Sequence, residues 1–202
     1  MGSVNPLDAI GLALGAGFSS GLNLYATVAT LGLLERFHMI HLPAALHILS
    51  NPIVIGLALA LYAVEFLADK IPYVDTVWDV VHTFIRPPAG ALLACGAMWG
   101  LPPALRWCAA LLAGSVALAA HGAKASARAA ANTSPEPFTN WTLSLGEDVL
   151  AVWLTWMAVT HPVWTVGVVV VLLVISIFLV ITLYRFLRKR VQRVFPRPAA
   201  QT

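Results

Sequence analysis

Residues 149–184, VLAVWLTWMAVTHPVWTVGVVVVLLVISIFLVITLY, decide the fold class because they contain no Asp, Glu, Lys or Arg. A helix needs about 20 apolar residues to cross the hydrocarbon of a bilayer. Helices and closed barrels alone can do so, because every backbone N–H and C=O must find a partner within the protein. The segment is long enough for two crossings, and His161-Pro162 divides it. We therefore expect two transmembrane helices here.

The rest of the chain has the same character. Of its 202 residues, 59% are hydrophobic and 10% charged, whereas a soluble domain carries about 25% charged residues. The mean hydropathy of +0.83 excludes a water-soluble globule. Uncharged runs predict an all-α, polytopic transmembrane bundle of about six spans, at 8–33, 50–68, 87–100, 104–124, 144–160 and 163–184.

The basic residues predict the orientation of this bundle. Six of the twelve Lys and Arg residues lie between Arg185 and Arg197, and cytoplasmic flanks are rich in these residues. We expect one transmembrane domain, residues 1–184, followed by a basic cytoplasmic tail, residues 185–202. Six spans would place both termini in the cytoplasm. Because the net charge of +3 resides in the tail, a nucleic-acid-binding surface is excluded and the lipid bilayer is the expected partner.

A short motif suggests an internal duplication. Leu42-Pro-Ala-Ala-Leu46 recurs as Leu101-Pro-Pro-Ala-Leu105, an offset of 59 residues. The repeat units would be 17–79 and 86–148. Two helical hairpins would then pack about a pseudo-axis, as in many transporters.

The same offset superimposes Glu65 on Lys124 and Asp69 on Arg128. An unpaired charge within a membrane costs at least about 2.5–3.5 kcal/mol, so Glu65 should face the interior and find a partner. We expect an ion-pair cluster that joins the second and fourth spans. The alternative is that Asp69 and Arg128 only end their helices among the lipid headgroups.

Residues 71–88 form a second polar segment. Asp75, Asp79, His82 and Arg86 follow one another at helical spacing, which predicts an interfacial or re-entrant amphipathic helix bounded by prolines. Its polar face could simply be solvated. Alternatively, Asp75, Asp79 and His82 could bind a metal cation or relay protons, since cations take carboxylate ligands and His titrates near neutral pH.

Two further groups of polar residues lie within predicted spans. Glu147 and Asp148 stand near the start of the fifth span, where the helix dipole favours acids, yet they are deep enough to serve an ion site. In the first span, Gly17-Phe-Ser-Ser-Gly21 could be tightly packed or could be unwound around a substrate. The candidate side chains there are Ser19, Ser20 and Asn23.

These polar segments resemble a bacterial membrane family, domain of unknown function 4126. The similar runs are Glu65-Phe-Leu-Ala-Asp-Lys-Ile-Pro-Tyr-Val-Asp75 with Trp78-Asp79, Arg86-Pro-Pro-Ala-Gly90, His121-Gly-Ala-Lys124, Arg128 and Ser144-Leu-Gly-Glu-Asp148. The resemblance covers most of residues 10–160. It implies a bacterial, multi-pass protein of the inner membrane and brings no catalytic residue.

Charges gathered within a bilayer favour a pathway or coupling site. The leading interpretation is a small transporter or channel, cation- or proton-linked, for a small ion or molecule. It would use no cofactor, and it could form a homo-oligomer because one chain encloses little volume. The alternative is a non-transporting scaffold or lipid-interacting protein whose charges are structural ion pairs. An interfacial enzyme using the Asp75–His82 stripe is a third interpretation, although the chain has no Walker loop, G-x-S-x-G or HExxH motif.

Overall fold

The structure, a computed structural model, describes residues 5–71, 73–133 and 137–194. These residues form seven α-helices and one 3₁₀ helix, and no strand. The all-α prediction is therefore confirmed. The α-helices are α1 (Pro6–Leu22), α2 (Leu24–Arg36), α3 (Pro52–Ala68), α4 (Val74–Ala97), α5 (Pro103–Ala131), α6 (Pro137–Thr160) and α7 (Pro162–Val194), and the 3₁₀ helix is Ala44–Ser50.

Several of these helices could span a membrane. Pro103–Ala131, Phe138–Thr160 and Pro162–Phe186 are long and apolar enough. A fourth span is counted if the 3₁₀ helix and α3, which are bent by 66° at their junction, act as one. The predicted total of six is not confirmed, and the internal duplication remains a prediction.

The segment predicted as one span over residues 8–33 is instead a helical hairpin, so that prediction is wrong. The chain leaves the helical conformation at Asn23, which has φ −148° and ψ 101°. Asn23 ends α1 and also caps α2, because its side-chain oxygen accepts a hydrogen bond from the Ala26 backbone N–H at 2.9 Å. An Asn at this position satisfies a backbone donor that a new helix leaves unpaired.

Both ends of this hairpin lie at the same end of the bundle. A cavity of about 800 Å³ is lined by Asn5 and Asp8 at the start of α1 and by residues 39–43, which follow α2. The same cavity is lined by Thr160 and Pro162, where α6 ends and α7 begins. The tip of the hairpin, in contrast, lies beside the second half of α5.

The first described residues and the last ones therefore lie at opposite ends of the bundle. α7 starts beside α1 at Pro162 and passes Gly122 of α5 at Val180 before it continues to Val194. The prediction that both termini are cytoplasmic depended on a single crossing in residues 8–33, and it stays a prediction. Residues 195–202 of the predicted tail lie outside the described residues.

α1 is the centre of the bundle and packs against α4, α5, α6 and α7. Twelve of its 17 residues are buried. Its glycines permit this close approach: a Cβ at Gly17 would lie 2.9 Å from the Ala113 side chain, and one at Gly21 would lie 2.9 Å from the Ala117 Cα. Residues 17–21 are thus helical and tightly packed, and the alternative of an unwound Gly17–Gly21 stretch is wrong.

α4 unites two elements that the prolines were expected to separate. It runs without interruption through Pro87 and Pro88, although a proline inside a helix removes a hydrogen bond and costs about 3 kcal/mol. Packing offsets this cost, because α4 and α5 approach closely at Gly90 and Gly114. The structure corrects both the separate 87–100 span and the interfacial helix.

The polar stripe of α4 faces the interior of the bundle. Asp75, Asp79, His82 and Arg86 are all buried, whereas Val77 and Phe84 are 67% and 77% exposed. The prediction of a solvated polar face is wrong. An amphipathic helix turned in this direction is what a lipid environment favours, because lipid tails solvate the apolar face and the charged face finds partners inside.

The packing of α1 predicts the effect of adding one methyl group. Gly21→Ala should destabilise the bundle by about 1–3 kcal/mol because the added Cβ overlaps α5. Gly56→Ala is the matched control, since a Cβ there meets nothing within 4 Å, and alanine favours a helix by about 1 kcal/mol. Thermal unfolding in detergent should show a lower midpoint for Gly21→Ala alone. Equal midpoints would contradict the packing of the hairpin.

Candidate functional site

Nine charged side chains meet where the hairpin tip reaches α3, α4, α5 and α6, and we call them the charge cluster. Eight are buried, and Glu147 is nearly so. The carboxylates are Glu65, Asp69, Asp75, Asp79, Glu147 and Asp148, and the cations are Arg86, Lys124 and Arg128.

Lys124 of α5 stands at the centre of the charge cluster. Its ammonium group donates hydrogen bonds to Glu65 Oε1 at 3.1 Å and to Asp69 Oδ2 at 2.9 Å. Glu147 Oε2 lies 3.6 Å away. The structure thus brings α3 and α5 together through the residues that the offset of 59 superimposes.

Arg128 lies one helical turn further along α5. It donates to the Asp69 carboxylate at 3.0 Å, to the Asp69 carbonyl at 2.6 Å and to Glu147 at 2.7 Å. The guanidinium therefore ties the end of α3 to α6. Because Asp69 and Arg128 are buried and paired, they do more than end their helices at a headgroup layer.

Arg86 links α4 to the hairpin tip. Its guanidinium donates to Glu65 at 2.5 Å and to the Gly21 carbonyl at 2.9 Å. It also donates to Nδ1 of His121 at 2.9 Å. Since an arginine can only donate, His121 is neutral and carries its proton on Nε2, which lies 3.0 Å from the Asp79 carbonyl.

The hairpin tip supplies backbone acceptors to the cations. Gly21 and Leu22 are at the end of α1, where carbonyls lack partners within the helix. Arg86 bonds to the first, and Lys124 lies 3.3 Å from the second. The helix dipole adds to this attraction, because the C-terminal end of a helix is partially negative.

Asp148 lies in the same region but is held differently. Asn23 donates its side-chain amide to Asp148 Oδ1 at 2.8 Å, and the Tyr62 hydroxyl donates to Oδ2 at 3.3 Å. Among the residues that the structure describes, no Lys, Arg or His nitrogen lies within 4 Å of this carboxylate. Asp148 is therefore held by neutral donors.

Asp75, Asp79 and His82 have separate environments. Asp75 accepts from the Asn132 amide at 3.0 and 3.1 Å. His82 donates from Nδ1 to the Trp78 carbonyl at 2.8 Å and accepts from the Tyr25 hydroxyl at 3.1 Å. In the described ranges, no three His, Cys, Asp or Glu side chains are placed to share a metal ion.

The Asp79 carboxylate is buried and has no hydrogen-bond partner at either oxygen. It lies in the first half of α4. A buried carboxylate without a donor is costly unless it binds a proton or a cation. Asp79 is therefore the carboxylate in the charge cluster best placed to bind one.

Ser19 and Ser20 lie beside the charge cluster in the last turn of α1. Ser20 bonds to the Gly17 carbonyl at 2.8 Å, as tight packing predicts. The Ser19 hydroxyl is buried without a partner, and so are Glu65 Oε2 and Asp69 Oδ1. Buried polar atoms are normally satisfied, so these three atoms are available to hydrogen-bond a bound water or ion.

Sequence reasoning missed four participants: Tyr25, Tyr62, His121 and Asn132. His121 and Asn132 carried a usable signal, because they lie at −3 and +4 from Lys124 and Arg128 on the same face of α5. Tyr25 and Tyr62 carried none, since their contacts depend on the hairpin.

Comparison with known proteins identifies one relationship. The sequence model of a family described as Domain of unknown function (DUF4126) matches residues 10–182. The matched region contains every residue of the charge cluster. No curated protein and no solved structure matches the chain.

The contacts of Arg86 predict a large structural effect of removing its charge. Arg86→Met should lower the free energy of unfolding by about 3–5 kcal/mol, because it leaves buried Glu65 and the Gly21 carbonyl short of a donor. Arg36→Met is the matched control, because Arg36 is exposed, and it should change stability by about 0.5 kcal/mol or less. Denaturant unfolding in micelles measures both. A small effect of Arg86→Met would show that the guanidinium is not part of the charge cluster.

Proposed function

This chain belongs to the family described as Domain of unknown function (DUF4126), and we propose that it is a small membrane transporter or channel linked to cations or protons. The observation that carries the proposal is the charge balance of the cluster. Six carboxylates share the site with three cations. If all were ionised, the cluster would carry a net charge of −3.

Such a surplus is costly in an apolar interior, where water does not screen it. Lys70 lies at the margin of the charge cluster and donates to the Phe66 carbonyl. It reduces the surplus of negative charge by one at most. Bound protons or cations must balance the negative charge that is left. A site that takes up and releases them is what a proton- or cation-linked transporter requires.

The interrupted hairpin supports the same proposal. Irregular backbone within a membrane protein is tolerated where it is buried in protein or lines a pathway. Transporters often bind ions where a broken helix exposes carbonyls and helix ends. Here the break at Asn23 exposes the Gly21 and Leu22 carbonyls to cations of the charge cluster.

We further propose a bacterial inner-membrane location, with the basic end of α7 in the cytoplasm. α3 through α7 would then make five crossings, and α1 and α2 would enter and leave from the opposite side. The charge cluster would lie toward the cytoplasmic half, because it adjoins the last turns of α3 and α5.

A structural role is the second candidate, and one observation favours it. All three cations are paired with carboxylates, although the Nε atoms of Arg86 and Arg128 have no hydrogen-bond partner. Glu65 does not line either the 800 Å³ cavity or the 540 Å³ groove beside Asp148. A non-transporting scaffold or lipid-interacting protein would need only such paired charges and no pathway to them.

Flux measurements in proteoliposomes separate the two candidates. Purified protein should carry H⁺, or one cation of a Na⁺, K⁺ and Mg²⁺ panel, faster than protein-free vesicles. The rate should change with pH, because a carboxylate that couples transport to protons must bind and release them. Asp79→Asn should reduce the rate by at least about tenfold, because the amide cannot exchange a proton.

Asp8→Asn is the control for this experiment, since Asp8 is exposed at the other end of the bundle. It should retain the wild-type rate and pH dependence. Absence of flux for every ion of the panel in folded wild-type protein would favour the scaffold. Wild-type flux in Asp79→Asn would contradict the role assigned to Asp79.

A further inference from the structure

A lipid-facing groove of about 540 Å³ runs along α6 between α2 and α3. Its walls are apolar and aromatic, with Val149, Val152, Trp153 and Trp156 each more than 40% exposed. The size is within the range of small-molecule sites. The lining residues are Thr30, Leu34, Tyr62, Leu145, Asp148, Val149, Val152, Trp153 and Trp156.

Among the described residues, Asp148 is the one carboxylate that lines this groove. Only 5% of Asp148 is exposed, and its two oxygens are held by Asn23 and Tyr62, both neutral donors. When it is ionised, this carboxylate presents its negative charge to a ligand, because no side-chain cation lies within 4 Å of it in the described part of the chain.

The neighbouring cations are engaged elsewhere. Lys124 is bound by Glu65 and Asp69, and Lys70 donates to the Phe66 carbonyl and stacks on the Phe66 ring. The groove therefore combines a buried negative charge with apolar walls and indole rings. Aromatic faces attract cations most strongly where water is excluded.

We infer that this groove binds a hydrophobic organic cation, such as an amine or an onium ion with a bulky apolar body, which enters from the lipid. Charge complementarity to Asp148 selects the positive ligand, and the apolar walls select its body. An anion of the same shape is rejected by the carboxylate. The inference names the substrate class of the proposed transporter and rests on that function.

The test uses two probes of nearly equal shape and opposite charge, tetraphenylphosphonium and tetraphenylborate. Binding is measured by equilibrium dialysis with the full chain in nanodiscs of zwitterionic lipid, and empty nanodiscs provide the blank. Wild-type protein should bind the phosphonium at least about tenfold more tightly than the borate. Equal affinity for both ions in wild-type protein would overturn the inference without any variant.

Variants of Asp148 test whether this residue causes the preference for the phosphonium over the borate. Asp148→Asn should weaken phosphonium binding by about 30-fold or more, because it removes the charge and keeps the size. Asp148→Glu keeps the negative charge and should retain the preference for the cation. It provides the test if the Asn variant folds poorly. Asp8→Asn is the matched control and should bind as the wild type does.

Phosphonium binding tests the groove and ion flux tests the transporter proposal, so the two can be overturned independently. Phosphonium binding that depends on Asp148 supports the site even in protein that shows no flux. Asp79-dependent flux in protein that does not prefer phosphonium over borate overturns the site and leaves the transporter proposal in place. Unchanged phosphonium affinity in Asp148→Asn also overturns it.

Discussion

The structure depends on the need to neutralise charges where the surroundings cannot solvate them. Breaking a buried ion pair leaves a charge uncompensated and costs several kilocalories per mole. Lys124 and Arg128 therefore hold α3 and α6 to α5, while Arg86 holds α4 to the tip of α1. The ion pairs fix which helix faces meet, and the small residues of α1 allow those helices to approach.

The hairpin and the charge cluster require each other. α1 can lie at the centre of the bundle because glycine and alanine form its surface, and its C-terminal carbonyls then reach Arg86 and Lys124. Asn23 completes the junction, since its side chain caps α2 with one atom and holds Asp148 with the other. A continuous helix in this position would leave these cations without two of their acceptors.

The sequence allowed the charged residues to be grouped but did not reveal the path of the chain between them. Glu65 and Lys124 could be paired because the cost of a lone charge in lipid is independent of the fold. The Asp75–Arg86 stripe followed from helical spacing, yet its direction was wrong, since period alone does not distinguish water from protein interior. Leu22 and Leu24 flank the break at Asn23, so no adjacent proline or glycine signalled it. Asn23 caps α2 and also contacts Asp148, and the second contact depends on the tertiary fold. The predicted cytoplasmic position of both termini depended on a single crossing there and stays a prediction.

We propose that the hairpin of α1 and α2 enters and leaves the membrane on one side, and two-sided cysteine labelling tests this topology. Asp8→Cys, Met39→Cys and Thr133→Cys would each be placed in a background with Cys95 and Cys108 replaced by alanine, and labelled with a membrane-impermeant maleimide in oriented vesicles. Positions 8 and 39 should react from one side and position 133 from the other. Reaction of positions 8 and 133 from the same side would contradict it.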